Sequence, residues 1–167
     1  MIEVKTNQQQ NIRLLAVKAL SEINRNGAYA NIKLQEYLQK YHLSDLDRRF
    51  FTELVYGVIR RKNYLDAIIV FFAKRTLKKL SSMVVEILRL GIYQIIYMDK
   101  VPESAAVNES VKLAKKLTRG LSGFVNAVLR SVLRESDSIS IGELAKSEAE
   151  EISFIYNQPL WLVNLWI

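Results

Sequence analysis

The chain has 167 residues, of which 50% are hydrophobic and 25% charged, and a formal net charge of +7. That length suits about one domain with a core of its own, and a total of only six Gly and two Pro argues against disorder and against a turn-rich β design. With no Cys and only one His, disulfides, thiolate nucleophiles and cysteine zinc sites are excluded, and His42 has no partners for a metal cluster.

The opening Met1-Ile2-Glu3-Val4-Lys5 lacks the charged head and apolar stretch of a signal peptide, so a cytoplasmic setting is expected, with residues 1–7 a flexible lead. From Ile12, the apolar positions Leu15, Ala16, Ala19, Leu20 and Ile23 recur at helical spacing until Asn26-Gly27, a helix stop. Ala30 to Lys40 reads as a short second helix. Ser44 caps a third, with Asp45 and Asp47 in the favourable first turn. Its rows Leu46, Phe50, Leu54, Val58 and Phe51, Val55, Ile59 make a wide apolar face. Arg60-Arg61-Lys62-Asn63 bends the chain before a helix through Tyr64 to Phe72, and Lys74 to Lys79 is a basic connector.

Met83 to Met98 is apolar nearly all round, which places it at the centre of the fold, with Gly91 permitting close packing. Glu86, Arg89 and Gln94 interrupt that run, and it is too short to cross a bilayer, so no membrane partner is expected. Pro102-Glu103 opens a helix that ends near Thr118. After Arg119-Gly120-Leu121-Ser122-Gly123 comes another, built on Leu121, Phe124, Val125, Val128, Leu129 and Val132. Beyond Glu135 the composition turns serine-rich and acidic to Glu151, then aromatic at Phe154, Tyr156, Trp161 and Trp166. The expectation is an all-α bundle of about seven helices over 8–135, followed by an acidic and aromatic linker over 136–167.

Charge divides along the same line. Residues 1–134 carry 23 Lys and Arg against 11 Asp and Glu, a net +12, whereas 135–167 carry one Lys and six acids, a net −5. Such a body attracts polyanions, nucleic acid first. Lys112, Lys115, Lys116 and Arg119 fall at i, i+3, i+4 and i+7, which puts four cations on one helix face. Arg13, Lys18 and Arg25 on the first helix, Arg48 and Arg49 on the third, and Arg60, Arg61 and Lys62 at its end complete the candidate RNA-binding set. Tyr29, Tyr37, Tyr41, Tyr56 and Tyr64 lie near these positions and are suited to stacking on bases, although most fit the core better. Asn126, Arg130 and Arg134, four apart, and Asn108 on the preceding helix suggest interhelical hydrogen bonds rather than base readout.

Enzymatic chemistry finds little support. Asp45 and Asp47 are helix-start residues, Glu148, Glu150 and Glu151 a solvated stretch, and Gly120 to Gly123 has neither dinucleotide nor P-loop spacing. No catalytic, cofactor-binding or metal-binding residue is assigned.

Four segments taken together, Leu54 to Arg60, Ile87 to Gln94, Val101 to Lys115 and Gly123 to Arg130, resemble the NusB-like helical domain. That domain is shared by the transcription antitermination factor NusB and by the amino terminus of bacterial ribosomal RNA cytosine-5 methyltransferases of the Sun/RsmB family. Asn26-Gly27-Ala28-Tyr29-Ala30-Asn31 is similar to the methyltransferase branch, as is Leu129-Arg130, where antitermination factors tend to have Leu-Asp. The tail Ile155 to Val163 resembles the Ser-x-Pro-x-Trp segment leading into the catalytic domain. Asn157 and Gln158 replace the usual Ser-His before Pro159.

The resemblance implies a domain that grips and positions ribosomal RNA, with S-adenosylmethionine and catalytic cysteines belonging to a catalytic domain expected beyond Ile167. The chain is then expected to be an amino-terminal part without enzymatic activity or cofactor of its own. Residues 154–167 would dock on that domain or join two copies of the chain. The alternatives are a NusB-type antitermination factor binding RNA and a protein, and a structural module that docks through its apolar tail.

Overall fold

The computed structural model describes residues 11–167, so the expected flexible lead lies outside the described residues. Seven helices form the body: α1 (Ile12–Asn26), α2 (Ala30–Lys40), α3 (Asp45–Arg60), α4 (Lys62–Ala73), α5 (Ser82–Tyr97), α6 (Glu103–Leu117) and α7 (Ser122–Glu135). A 3-10 turn, Leu77–Lys79, links α4 to α5. Three short helices follow in the tail, α8 (Ile141–Leu144), α9 (Glu148–Tyr156) and α10 (Leu160–Trp166). Among the described residues there is no strand, and no helix is long and apolar enough to cross a membrane.

The caps follow the sequence. Asn11 accepts from the Leu14 backbone N–H, Ser44 from Asp47 and Ser81 from Val84. Gly27 ends α1 in the left-handed region at φ 61°. Leu46, which the helical rows assign to the core, lies in the first turn of α3 before that helix reaches its neighbours, and is 77% exposed.

α5 is the axle of the bundle, with every residue from Val84 to Gln94 buried. α6 and α7 close against it where Gly91 lets them approach: a Cβ there would meet Ser110 Oγ at 2.8 Å and Leu129 Cδ1 at 3.0 Å. A second contact of this kind is at Gly57 on α3, where a Cβ would run into the Tyr93 ring.

The three polar residues interrupting the apolar run are buried and bonded, except that Glu86 Oε2 has no hydrogen-bond partner. Arg89 donates from Nε and Nη2 to the two Asp66 oxygens at 2.6 and 2.9 Å, and from Nη1 to Glu86 Oε1 at 2.7 Å. Asn24 Nδ2 donates to the same Glu86 oxygen at 2.7 Å, and Arg13 Nε donates to Gln94 Oε1 at 2.7 Å. These groups tie both ends of α1, and α4, to α5. Pairing is required because an unmatched buried charge costs several kcal/mol.

The stretch expected as a linker is folded. Ser140 and Glu143 form a reciprocal capping box at α8, and α9 lies against α4. There Phe154 packs 5.7 Å from Tyr64, and Asn63 Nδ2 donates to Ser153 Oγ at 3.3 Å. Asn157 ends α9 in the left-handed region, at φ 53°, and accepts from Arg61 Nη1 at 3.3 Å. α10 packs on α9 and leaves Trp161, Leu165, Trp166 and Ile167 largely exposed.

Candidate nucleic-acid interface

The structure does not gather the twelve candidate cations into one patch. Arg13 is half-buried, its guanidinium 5.1 Å from the Phe50 ring centre, and burial lowers its pKa while nearby Glu109 opposes the shift. It anchors α1 to α3 and α5. Lys18 and Arg25 are exposed along α1. Arg48 and Arg49 stand exposed around a shallow depression with Leu38, Thr52 and Glu53.

Neighbours in sequence part company at the α3–α4 junction. Arg60 is exposed, Arg61 lies 3.8 Å above the Tyr97 ring and reaches the tail, and Lys62 Nζ turns to α1, donating to Asn24 Oδ1 at 3.1 Å. Lys62 thereby joins Arg25. With Lys78 they line a groove of about 450 Å³ between the end of α1, the start of α4 and the α4–α5 linker, with Glu86 and Arg89 among its walls. Burial raises the Glu86 pKa, against the pull of Arg89 and Asn24.

Lys112, Lys115 and Lys116 are exposed along α6, whereas Arg119 is exposed just beyond it: the helix ends at Leu117 and Thr118 is extended, so the fourth cation leaves the helix face that the i+7 spacing assigns to it. Glu109, one turn before it, pairs with Lys112 at 3.0 Å. Among the described residues, the ion pairs engage Lys33, Arg89, Lys112 and Arg134, which leaves Lys115, Lys116, Arg119, Arg25 and Lys62 without an acidic partner.

Of the five tyrosines considered for stacking, Tyr29 alone is largely exposed, at 74%; Tyr37 is buried, bonded to Glu22, and Tyr41, Tyr56 and Tyr64 are half-buried. The expected interhelical polar bonds give way to local ones. Arg130 Nε donates to Asn126 Oδ1 at 3.0 Å within α7, Arg134 meets Ser131 and Glu135, and Asn108 is exposed. His42 is exposed as well.

Arg75 and Lys78 were absent from the sequence-derived set. A charge count in windows finds them: residues 67–85 hold four cations and no acid, and residues 110–134 hold six cations and no acid. The acids Asp99, Glu103 and Asp137 sit elsewhere, lining a pocket with Ile95, Ile96 and Leu144 near the end of α5.

The profile of the NusB family matches residues 10–134. The chain belongs to the NusB family. Probable ribosomal RNA small subunit methyltransferases B from Synechocystis and Bacillus subtilis are 40% and 34% identical to it over 92% and 95% of the chain. The chain spans about a third of the length of these two relatives, 34% and 35%. The transcription antitermination protein NusB of Finegoldia magna is 30% identical over 77% of the chain and 96% of its own length.

Among solved structures, NusB from T. maritima superposes with a TM-score of 0.68 at 24% identity, over 74% of this chain and 89% of its own. A complex of the antitermination factors NusB and NusE with double-stranded RNA gives 0.66 at 22%, over 74% and 93%. Both confirm the all-helical NusB fold.

Proposed function

We propose that this NusB-family chain is the RNA-binding part of a small-subunit ribosomal RNA cytosine-C5 methyltransferase, which binds ribosomal RNA through phosphate contacts and positions it for methylation by a separate catalytic part. The observation that carries the reading is the extent of the match: the methyltransferase relatives align with 92% and 95% of the chain, tail included, whereas the F. magna factor aligns with 77%. The unpaired cations of α6 supply the physical means, because phosphate binding needs accessible positive charge and little else.

S-adenosylmethionine belongs, in this reading, to the catalytic part. The glycines here do not make a cradle for it: Gly57 and Gly91 are filled by neighbouring side chains, Gly27 and Gly120 make left-handed turns, and Gly123 and Gly142 lie in helices. Trp161, Leu165 and Trp166 are placed to dock on that same part, with a second copy of the chain as the other occupant of this surface, in a cytoplasmic protein. A second reading, an antitermination factor acting through RNA and a protein partner, draws on the 96% coverage of the F. magna protein.

Two measurements test the proposal. With four or five phosphates engaged on a single strand, log affinity for ribosomal RNA fragments falls by about 3 per log unit of salt; affinity that is absent at low salt, or insensitive to salt, removes the RNA-binding reading. Reading the gene past the Ile167 codon separates the two branches. A glycine-rich loop and a Pro-Cys motif support the enzyme, and a stop codon there removes it.

A further inference from the structure

We infer that the α4–α5 linker is a phosphate-binding corner that joins the α6 stripe to the Arg25–Lys62 groove in one continuous track for a single strand of RNA. The inference rests on the RNA-binding reading above and assigns it a path.

Three observations place the corner. α5 and α6 are joined by a short link and meet where Gly91 faces Ser110, so they run antiparallel and the Arg119 end of α6 lies level with the start of α5. The linker before α5 lies at that same end, and Arg75 reaches from it to the first turn of α7, its guanidinium 5.4 Å from the centre of the Phe124 ring. Phe124 stands just past the left-handed turn at Gly120 that follows Arg119. On its other side the linker puts Lys78 into the wall of the groove that Arg25 and Lys62 line. Lys112, Lys115 and Arg119 thus lead to Arg75, then Lys78, then Lys62 and Arg25.

The charge along this path is almost uncompensated. Among the described residues, Arg75, Lys78 and Lys79 make no ion pair; of the acids nearest in sequence to the linker, Asp66 is held by Arg89, and Glu86 gives one oxygen to Arg89 and keeps the other without a hydrogen-bond partner. Arg75 and Lys78 are both exposed, and Arg75 rests on the Phe124 ring with its charge unpaired. The shape favours a single strand over a duplex. The track turns a corner and enters a groove of about 450 Å³, a space on the scale of one nucleotide, whereas a duplex presents a stiff, regular backbone to a broad surface.

The test is fluorescence anisotropy on the full chain, with a labelled single-stranded RNA oligonucleotide, the same strand in a duplex, and poly-glutamate as an acidic protein mimic. Arg75→Gln with Lys78→Gln is compared with Lys40→Gln with Lys146→Gln, which removes the same charge elsewhere. Circular dichroism confirms that both variants fold. The expected result is tighter binding of the single strand, weakened at least tenfold by the corner variant and no more than twofold by the control, with the salt slope reduced by about 1.4 for two lost phosphate contacts. Equal losses in the two variants, or an unchanged slope in the corner variant, would overturn the track while leaving RNA binding intact. Preference for the duplex, or equally tight poly-glutamate binding lost in the corner variant, would overturn it as well. Failure of the unaltered chain to bind any RNA would instead remove the reading beneath it.

Discussion

The body, α1 to α7, and the tail, α8 to α10, are both helical but are held by different means. In the body the buried polar groups of α5 reach two other helices, α1 through Asn24 and Arg13 and α4 through Asp66. The tail rests on α4 through Phe154 and Ser153 and on the α3–α4 junction through Asn157, and ends in a helix whose aromatic residues are exposed. Disturbing the body therefore unsettles the whole chain, while disturbing the tail frees the tail.

The sharpest contrast is Arg89→Ala against Phe154→Ala. The first leaves Asp66 and Glu86 beside a vacated site and is expected to cost about 3–5 kcal/mol, lowering the melting temperature of every probe together. The second removes one ring from a peripheral interface, and is expected to speed proteolysis between 136 and 167 with little change in the unfolding of the body. Similar losses of melting temperature in the two variants would erase the distinction. Gly57→Ala belongs with the first class, because the added Cβ drives into the Tyr93 ring. It is expected to cost about 1–3 kcal/mol by overpacking.

Much of this division is legible in the sequence. Helical spacing, with cap and breaker residues, locates all seven body helices, and α5 as their centre follows from its being apolar nearly all round. The tail reads as a linker in the sequence because Ser136 to Glu151 is polar and acidic. Its helices are specified by local signals, the Ser140–Glu143 and Ser147–Glu150 caps, and by only one buried ring, too few apolar positions to show a periodic face. The interface was less legible. Adjacent Arg61 and Lys62 look equivalent in sequence, but helix geometry sends one to Tyr97 and the other to Asn24. Arg75 and Lys78 sit in a connector without periodicity, and only the fold brings them beside α7 and α1.

A smaller effect is a pH dependence confined to the body. Burial raises the Glu86 pKa in the folded chain above its unfolded value. The folded state therefore holds this proton more tightly, and stability from this group is lost as pH rises through the window just above the ordinary carboxylate range. Glu86→Gln is expected to flatten that slope in melting temperature. A slope that persists unchanged would assign it to another group.

Tyr29→Ala is expected to weaken single-stranded RNA binding by about 1 kcal/mol, the lower end for one stacked base, without altering the salt slope. Its ring is too exposed for the change to affect stability much. An unchanged affinity would leave Tyr29 outside the footprint.

The most direct test sets the body's charge against the tail's aromatic surface in one titration. Changing Lys112, Lys115, Lys116 and Arg119 to Ala is predicted to remove the largest single share of the salt dependence of RNA binding, a drop in slope of about 2, while Trp161→Ser with Trp166→Ser leaves both affinity and slope unchanged. Binding that survives the first change and is lost with the second would place RNA on the tail and contradict the account.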